Sequence, residues 1–457
     1  MIRFLVYFLL AAVAFSMIAA DPAEGPIALL MVVCLAGASL VVTRRFVEEK
    51  DFITIVFLAA LCARLLFGII VHSFGLREFA GSDALGYDTN ASRIVDYWIS
   101  GIGQGDPELA RIMSIRGSGW GMQYLVSFIY LISNKSILVA QAFCAVIGAA
   151  TVPLTYFCSE KMFHNKRVAK TTALAVAFFP AFIIWSSQLL KDGMMVFLIV
   201  LTLTLVIQLQ RQFSWLGILV ICFSLFGILS LRFYIFYVMV VAVIASFVVG
   251  LSTSLKSIVQ RLAILIVLAA ALSYLGVIET TTTDLRTYGS LERTQVSRAD
   301  LARSAESGFG RDVDISTYGG ALSAIPIGFI YLMFAPFPWE VTNFRQSITL
   351  PDVLIWWAMI PLLIYGLWYT LKNRLRACFP ILIFTLMLTV SYSIFQGNIG
   401  TAYRQRTQIQ VFLFMFIAVG WGLIREKIED KKASEIIRKN KLNKQLRARF
   451  QERQKAT

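Results

Sequence analysis

The sequence predicts an all-α polytopic membrane protein with about twelve transmembrane helices. Hydrophobic residues make up 58% of the 457-residue chain and charged residues only 15%, whereas soluble domains are roughly half apolar and about a quarter charged. The apolar residues form repeated runs of about 20, the length that crosses a bilayer as a helix. The connectors between the runs contain no long soluble domain, so any active site must be built from helix ends and loops.

The apolar runs are spread over the whole chain. They lie at about residues 4–20, 27–43, 53–73, 136–158, 171–189, 193–210, 215–230, 234–250, 258–277, 352–371, 377–396 and 407–424. Basic or compact connectors such as TRRFVEEKD and SEKMFHNKRVAK alternate with the other loops, and the positive-inside rule assigns them and both termini to the cytoplasm. The first run imitates a signal peptide but is long for one, so we expect it to remain as an uncleaved span.

Two further apolar stretches, residues 119–133 and 321–337, are predicted to lie as helices at the outer membrane interface. If only the first of them crossed the membrane, every later basic connector would fall outside, against the positive-inside rule. We therefore expect a multi-pass protein of the bacterial inner (cytoplasmic) membrane whose large loops face the periplasm or exterior. The net charge of +15 collects in the connectors and the tail, so it does not indicate nucleic-acid binding.

The predicted organisation has five parts. These are a transmembrane hairpin (1–50), a catalytic transmembrane core (51–277) with an outer loop (74–135), a flexible outer loop with an interfacial helix (278–351), C-terminal transmembrane helices (352–424) and a basic cytoplasmic tail (425–457). The tail is predicted to be helical. Either it is attracted to anionic lipid or it serves only as a topology anchor.

Residue usage excludes several kinds of site. The six cysteines lie within or at the edges of apolar runs and include no CxxC pair, so neither a disulfide framework nor a cysteine metal site is expected. His72 and His164 are the only histidines, which excludes a histidine-rich metal site and disfavours a Ser-His-Asp triad. Chemistry must therefore rest on Asp, Glu, Lys, Arg and Tyr.

Unusual polar residues collect in the predicted outer turns. They are Asp83, Tyr87, Asp88 and Arg93; Lys191 and Asp192; Arg232; Trp339, Glu340 and Arg345; and Tyr403, Arg404 and Arg406. The positive-inside rule disfavours Lys and Arg on this side, so an anionic ligand such as a phosphate would explain them. Ordinary snorkelling of the cations to lipid headgroups is the alternative.

Two aspartates are the candidate carboxylates for chemistry. Asp83 is the candidate general base, because partial burial at the membrane edge would raise its pKa toward a useful value. Asp192 directly follows Lys191 and supplies a second carboxylate on the same face. For both aspartates the alternative to a catalytic role is a structural one, since either side chain could cap the helix that follows it.

Two other features of the predicted outer loops are weaker indicators of a functional site. Trp339, followed by Glu340, suits a membrane-interface anchor, although its ring could also stack on a sugar. Residues 278–320 are polar and long for a loop, and we expect a flap that orders on substrate binding.

Residues 79–210 resemble the multi-spanning C-superfamily (GT-C) glycosyltransferases, the group that includes protein O-mannosyltransferases and aminoarabinose transferases. The likeness consists of the acidic loop FAGSDALGYDTN, a span that ends in a small basic connector, and a span with a mid-helix proline that exits at LLKDG. Three departures stand beside it. An extra hairpin precedes the acidic loop, no adjacent acidic pair or DxD is present in that loop, and no large C-terminal soluble domain follows.

The resemblance implies particular roles. Asp83 corresponds to the family's catalytic aspartate, with Asp88 a less favoured match. Asp192 corresponds to the acidic residue that organises the donor phosphate, sometimes with a metal, so a divalent cation at Asp192 is possible. The family also has an interfacial helix after the first-loop aspartate, which agrees with the interpretation of residues 119–133.

The sequence therefore predicts a membrane glycosyltransferase that moves a sugar from a polyprenyl-phosphate-linked donor to a glycan, lipid or protein acceptor. Asp83 would deprotonate the acceptor hydroxyl. The donor phosphate would be bound by Lys191, Arg232, Arg404 and Arg406, with support from Tyr87, Asp88, Asp192, Trp339, Glu340 and Tyr403. A polysaccharide polymerase or ligase with a lipid-pyrophosphate donor is the second hypothesis. A transporter or flippase is disfavoured, because the charges cluster at one face and no internal repeat is evident.

Overall fold

The computed structural model describes residues 2–76, 83–114, 119–249, 255–274, 276–277, 290–303, 308–310, 313–341 and 344–456. The regular structure in these residues consists of α-helices, one 3₁₀ turn (Pro338–Glu340) and one isolated antiparallel bridge between Gly308 and Asn398. The helices are α1 (Ile2–Ala20), α2 (Gly25–Phe46), α3 (Lys50–Ser73), α4 (Asp83–Ser100), α5 (Pro107–Ser114), α6 (Trp120–Ser133), α7 (Ile137–Phe163), α8 (Lys166–Phe178), α9 (Pro180–Ser186), α10 (Lys191–Leu209), α11 (Trp215–Leu231), α12 (Phe233–Val249), α13 (Leu255–Tyr274), α14 (Leu291–Arg303), α15 (Tyr318–Phe334), α16 (Phe344–Asn373), α17 (Leu375–Phe395) and α18 (Ile399–Ala456).

The prediction of an all-α polytopic membrane protein is confirmed. Each of the twelve apolar runs coincides with a helix, except that the run at 171–189 is divided between α8 and α9. Within the described ranges, α1, α2, α3, α7, α10, α16, α17 and α18 are long and apolar enough to cross a membrane, and α8 with α9 would make a ninth span bent by 54°. The apolar parts of α11, α12 and α13 are shorter, so the count of twelve spans stays a prediction.

Helix α7 forms the centre of the bundle. It packs against α2, α3, α8 and α10 and is buried along most of its length. Its middle turns carry small residues, including Gly148, Ala149 and Ala150, which let the neighbouring backbones approach. A small residue also allows close packing of α16 on α18, where a Cβ on Gly366 would lie 1.8 Å from the Phe416 carbonyl oxygen. In lipid such close packing takes the place of hydrophobic exclusion as the force that associates helices.

The bundle has two chemically different ends. At one end, the first turn of α8 carries Lys166, which pairs with Glu48 at 2.7 Å, and Arg167, which pairs with Glu429 at 2.7 Å. We call this the basic end. The opposite end, where α4, α6 and the first turn of α10 meet, is called the site end.

Helix α6 lies across the site end. A Cβ on Gly121, in its first turn, would be 2.2 Å from Ser230 Oγ near the end of α11. Its last turn leads to Ser136, which caps α7 by accepting a hydrogen bond from the Val139 amide and donates one to Glu24 at 2.5 Å. Because α7 runs from Ser136 to the basic end, both ends of α6 lie at the site end, in agreement with the predicted interfacial helix.

Helix α15 packs against two of the long C-terminal helices. A Cβ on Gly328 would lie 1.8 Å from the carbonyl oxygen of Ser393, near the end of α17. In its last turn, the Met333 carbonyl accepts a hydrogen bond of 2.7 Å from the indole Nε1 of Trp356 on α16. The helix thus packs against both α16 and α17, and its position at the outer interface stays a prediction.

The described parts of residues 278–351 are helical and packed. Arg298 of α14 is 2% exposed, and its Nη1 donates to the carbonyls of Gly310 at 3.0 Å and Val313 at 3.1 Å. The Phe309 amide donates to the Gly397 carbonyl at 2.8 Å, which fastens this region to the turn between α17 and α18. Residues 278–289, 304–307 and 311–312 of the predicted flap lie outside the described residues. Ordering on substrate binding stays a prediction.

The basic tail is helical, as predicted. It continues α18 without a break to Ala456, and residues 425–443 are exposed. Its contact with the bundle includes the pair between Glu429 and Arg167. Attraction to anionic lipid is not tested by these contacts.

Candidate active site

A fully buried carboxylate stands at the centre of the site end. Asp192 is the second residue of α10, where the helix dipole favours a negative charge. Its Oδ1 accepts a hydrogen bond of 2.6 Å from Arg232 Nη2, and its Oδ2 accepts one from Arg404 Nε. The position before α10 is occupied by Leu190, which makes no side-chain cap. Asp192 therefore orients two guanidinium groups and does not serve as a helix cap.

Arg404 connects this buried carboxylate to an exposed one. It lies in the second turn of α18, with a side chain 12% exposed, and its Nη2 forms an ion pair with Asp83 Oδ2 at 2.8 Å. The guanidinium also stands over the ring of Trp185, 5.8 Å from its centroid. Asp83, Arg404 and Asp192 thus form one continuous chain of contacts.

Arg232 occupies the short break between α11 and α12, where the extended backbone turns its side chain into the bundle. It is 3% exposed, and its Nη1 donates to the Tyr234 hydroxyl at 3.3 Å. The Tyr234 hydroxyl in turn accepts a hydrogen bond from Gln405 Nε2 at 3.2 Å, on the same helix as Arg404. These bonds fix Arg232 in position against Asp192.

Asp83 is the carboxylate of this cluster that solvent can reach. It begins α4, and its side chain is 43% exposed, whereas that of Asp192 is 0% exposed. Burial alone would raise the pKa of Asp83, but the charges of Arg404, Lys191 and Arg232 outweigh it and hold the pKa below its ordinary value. The prediction of a raised pKa is therefore wrong for this state. The pair with Arg404 thus favours the ionised form of Asp83.

Lys191 and Tyr87 lie beneath the start of α6. Lys191 is 9% exposed and Tyr87 is 7% exposed. A Cβ on Gly119 would lie 2.9 Å from Lys191 Nζ and 3.0 Å from the Tyr87 hydroxyl oxygen, and Gly119 has a φ of +97°, which favours glycine. Burial, the largest cause, raises the pKa of Tyr87 well above its ordinary range, so the phenol stays protonated and able to donate a hydrogen bond.

Asp88 has a different environment from Asp83. Its Oδ1 accepts a hydrogen bond of 2.5 Å from the Tyr130 hydroxyl, which joins α4 to α6. Arg93, one turn further along α4, pairs with Glu108 at 2.8 Å on an exposed surface. Both residues hold the outer loop together and make no described contact with Asp192.

The structure does not bring Arg406 to this cluster, and we correct that expectation. Arg406 is fully buried, and its Nη1 donates to the carbonyls of Met333 at 3.0 Å and Ala335 at 2.9 Å, at the end of α15. Two residues apart on a helix point in nearly opposite directions. Arg404 therefore faces Asp192, while Arg406 faces α15.

Three other predicted residues lie away from the cluster. Tyr403 is 3% exposed, and its hydroxyl donates to Asp352 Oδ2 at 2.7 Å. Trp339 is 74% exposed and stacks on Phe337 with ring centroids 5.1 Å apart. Glu340 Oε1 accepts a hydrogen bond of 3.1 Å from the Tyr331 hydroxyl. Residues 79–82 of the acidic loop and the side chain of Arg345 lie outside the described residues.

The surroundings of Asp192 do not fit a divalent cation. Both of its oxygens are engaged by guanidinium groups, and Lys191 adds a third positive charge nearby. Within the described ranges, no three His, Cys, Asp or Glu side chains are grouped as metal ligands. The cations of the chain itself already engage this carboxylate, so no chemical step is assigned to a metal.

Sequence reasoning missed two residues near the cluster. Arg64 lies within α3 and lines an internal cavity together with Asp192, Ser186 and others. Trp185 lies on α9, with its ring beside Arg404. The signal for Arg64 was present in the sequence, because an arginine inside an apolar run is costly unless it has a specific role. Trp185 gave no such signal, since aromatic residues are common at membrane interfaces.

No protein-family model matches the chain, and no curated protein matches it significantly. The chain is similar to a solved structure of the archaeal oligosaccharyltransferase AglB from Archaeoglobus fulgidus in complex with an inhibitory peptide and a dolichol-phosphate, with 14% identity and a TM-score of 0.40 over 70% of this chain and 43% of that one. It is also similar to the apo form of an Archaeoglobus fulgidus oligosaccharyltransferase, with 13% identity and a TM-score of 0.45 over 85% of this chain and 52% of that one. The chain spans about half the length of these proteins, and at these TM-scores the matches assign no function.

Proposed function

We propose that this protein is a membrane glycosyltransferase that moves a sugar from a polyprenyl-phosphate-linked donor to an acceptor hydroxyl. The observation that carries the proposal is the contact network of Asp83, Arg404, Asp192 and Arg232, which four separate parts of the chain supply. Cations beside a reachable carboxylate suit a reaction in which a phosphate leaves and a hydroxyl loses its proton. The basic connectors support the periplasmic or exterior face of a bacterial inner membrane as the location of the site.

The cations serve the leaving group. When the bond between the anomeric carbon and the phosphate oxygen breaks, that oxygen gains a negative charge. Arg404, Arg232 and Lys191 outnumber the two carboxylates Asp83 and Asp192, so the cluster has positive charge left for an anion. A guanidinium can bind two phosphate oxygens at once, and in a largely buried site this stabilises developing charge strongly.

The exposed carboxylate serves the acceptor. Asp83 would take the hydroxyl proton while the acceptor oxygen forms its bond to the anomeric carbon, and the lipid phosphate would leave as an anion. A donor phosphate bound to Arg404 competes with Asp83 for the same guanidinium. Its binding would free the carboxylate and return the pKa of Asp83 toward its ordinary value, which makes it a better base. The base would thus become active when the donor is bound.

Binding of the product lipid tests the phosphate site without knowledge of the sugar. Undecaprenyl phosphate is titrated onto the purified protein and followed by native mass spectrometry. Loss of charge-assisted hydrogen bonds in Arg404→Ala should weaken binding by about tenfold or more. The matched control is Arg93→Ala, an exposed arginine on α4 paired with Glu108, which should bind like the wild type. Equal binding by the wild type and Arg404→Ala would contradict the assignment.

Two further lipids make the same experiment more specific. Undecaprenol has no phosphate and should bind weakly to every variant. Undecaprenyl pyrophosphate tests the second hypothesis, a polymerase or ligase with a pyrophosphate donor. Much tighter and Arg404-dependent binding of the pyrophosphate than of the monophosphate would favour that hypothesis over the one proposed.

A further inference from the structure

Arg64 is a buried cation in the middle of a membrane helix. It lies on α3 and is 1% exposed, and within the described ranges no carboxylate lies within ion-pair distance of it. A charged side chain at this depth is costly and is retained where it has a specific role. Its partners are a serine hydroxyl and three backbone carbonyls, so its function has to be sought in what these groups hold.

Two of these carbonyls belong to the break between α8 and α9. Pro180 has no amide hydrogen, so the Val176 carbonyl four residues earlier has no helical donor. The bend of 54° also separates the Ala177 carbonyl from α9. Arg64 donates to both, from Nη2 to Val176 at 3.2 Å and from Nη1 to Ala177 at 3.1 Å. The guanidinium thereby supplies the hydrogen bonds that the broken helix lacks.

A further contact of Arg64 reaches the last residue of α9. Arg64 Nε donates to Ser186 Oγ at 2.9 Å, and Ser186 is the last residue of α9. Ser186 is wedged between two glycines, since a Cβ on Gly148 would lie 2.3 Å and a Cβ on Gly193 2.6 Å from Ser186 Cβ. Gly193 directly follows Asp192. The position of Ser186 therefore sets the position of the first turn of α10.

We infer that Arg64 is a positioning residue of the candidate site, which holds the last turn of α8 and the last residue of α9 and thereby fixes the place of Asp192. Asp192 in turn orients Arg232 and Arg404. The internal cavity that Arg64, Ser186 and Asp192 line has room for about a single water, so there is little free space into which this arrangement could relax. The catalytic consequence rests on the proposed function, whereas the positional claim does not.

The positional claim is tested by hydrogen–deuterium exchange of the amides in residues 186–193. Arg64→Met removes all hydrogen bonds of the guanidinium. Ser186→Ala is the milder variant, because of these bonds it removes only the one between Arg64 Nε and Ser186 Oγ. Both should accelerate exchange in this segment, by about tenfold in Arg64→Met. The matched control is Ser187→Ala, because the Ser187 hydroxyl donates to the Ile183 carbonyl of its own helix and makes no bond to Arg64. Unchanged exchange in both test variants would overturn the inference.

The link to chemistry is tested by the pH profile of kcat/KM for sugar transfer. Asp83 is faced by Arg404 from α18, Lys191 and Asp192 from α10, Arg232 from the α11–α12 break and Tyr87 from its own helix. If Arg64→Met displaces Asp192 and loosens Arg404, the pKa of Asp83 should rise and the acid limb of the kcat/KM profile should move to higher pH. A smaller amount of folded protein would lower the rate without moving this limb. Faster exchange with an unmoved acid limb would overturn the link. Absence of transfer by the wild type would instead refute the proposed function, and the exchange result would still decide the position of Arg64.

Discussion

Replacement of Asp192 by Asn removes one charge from the most deeply buried part of the site. The side chain of Asp192 is 0% exposed and that of Arg232 is 4% exposed, with 2.6 Å between the paired atoms. Asn is nearly isosteric, so the change leaves little void. The substitution removes the negative charge that balances two largely buried guanidinium groups.

The expected loss of unfolding free energy in Asp192→Asn follows from the burial of its ion pair with Arg232. Removal of one partner from a buried ion pair typically costs about 3–5 kcal/mol, because the other charge is left uncompensated. The pair of Arg404 with Asp83 involves a carboxylate that is 43% exposed, and exposed pairs are worth about 0.2–1 kcal/mol. Asp192→Asn should therefore lower the free energy of unfolding by several times as much as Asp83→Asn.

The assay compares both variants with the wild type by titration with a denaturing detergent in mixed micelles, with helix content as the readout. Asp83→Asn is the matched control, because it makes the same chemical change at the other end of the same network. Equal losses of unfolding free energy in the two variants, or no loss in Asp192→Asn, would refute the conclusion that Asp192 neutralises buried arginines.

Three further predictions follow from single contacts. Gly193→Ala should destabilise the protein and lower sugar transfer, because the new Cβ would collide with Ser186. Gly422→Ala should be tolerated, because the nearest atom to its new Cβ would be 3.6 Å away. Thermal unfolding and transfer rates check both variants. Arg406→Met should lower thermal stability yet leave the affinity for undecaprenyl phosphate within about threefold in the folded fraction, because Arg406 binds carbonyls and not the cluster. Because the pKa of Asp83 lies below its ordinary value in the free enzyme, kcat/KM should persist as pH falls below the usual aspartate range, and an acid limb above that range would contradict the ion pair with Arg404.

Much of the architecture could be predicted from the sequence because apolar runs of membrane length leave few alternatives. Every run corresponds to a helix or a helix pair, and the stretch 119–133 forms the separate helix α6 at the site end. The break at Pro180 was harder to predict. A proline within a membrane helix can be accommodated by a bend or by a full break, and here Arg64, from a distant part of the sequence, satisfies the freed carbonyls.

The site was predictable only in part. Asp83, Asp192, Arg232 and Arg404 were grouped because they share one face, and the structure brings them into contact, although their chemical roles stay predictions. The sequence could not separate Arg404 from Arg406, because that depends on where α18 begins and on the direction each side chain then takes. The sign of the pKa shift of Asp83 depended on an ion pair between residues far apart in the chain.

The most direct test of the central claim is sugar transfer by Asp83→Asn in proteoliposomes. The donors are a panel of radiolabelled undecaprenyl-phosphate-linked sugars, with acceptors supplied as a membrane glycan extract. Loss of the general base should lower the transfer rate by about 10²–10⁴-fold. Asp88→Asn is the matched control, because its amide oxygen can still accept the hydrogen bond from Tyr130 and the rate should stay close to that of the wild type. Transfer by folded Asp83→Asn at the wild-type rate would contradict the account.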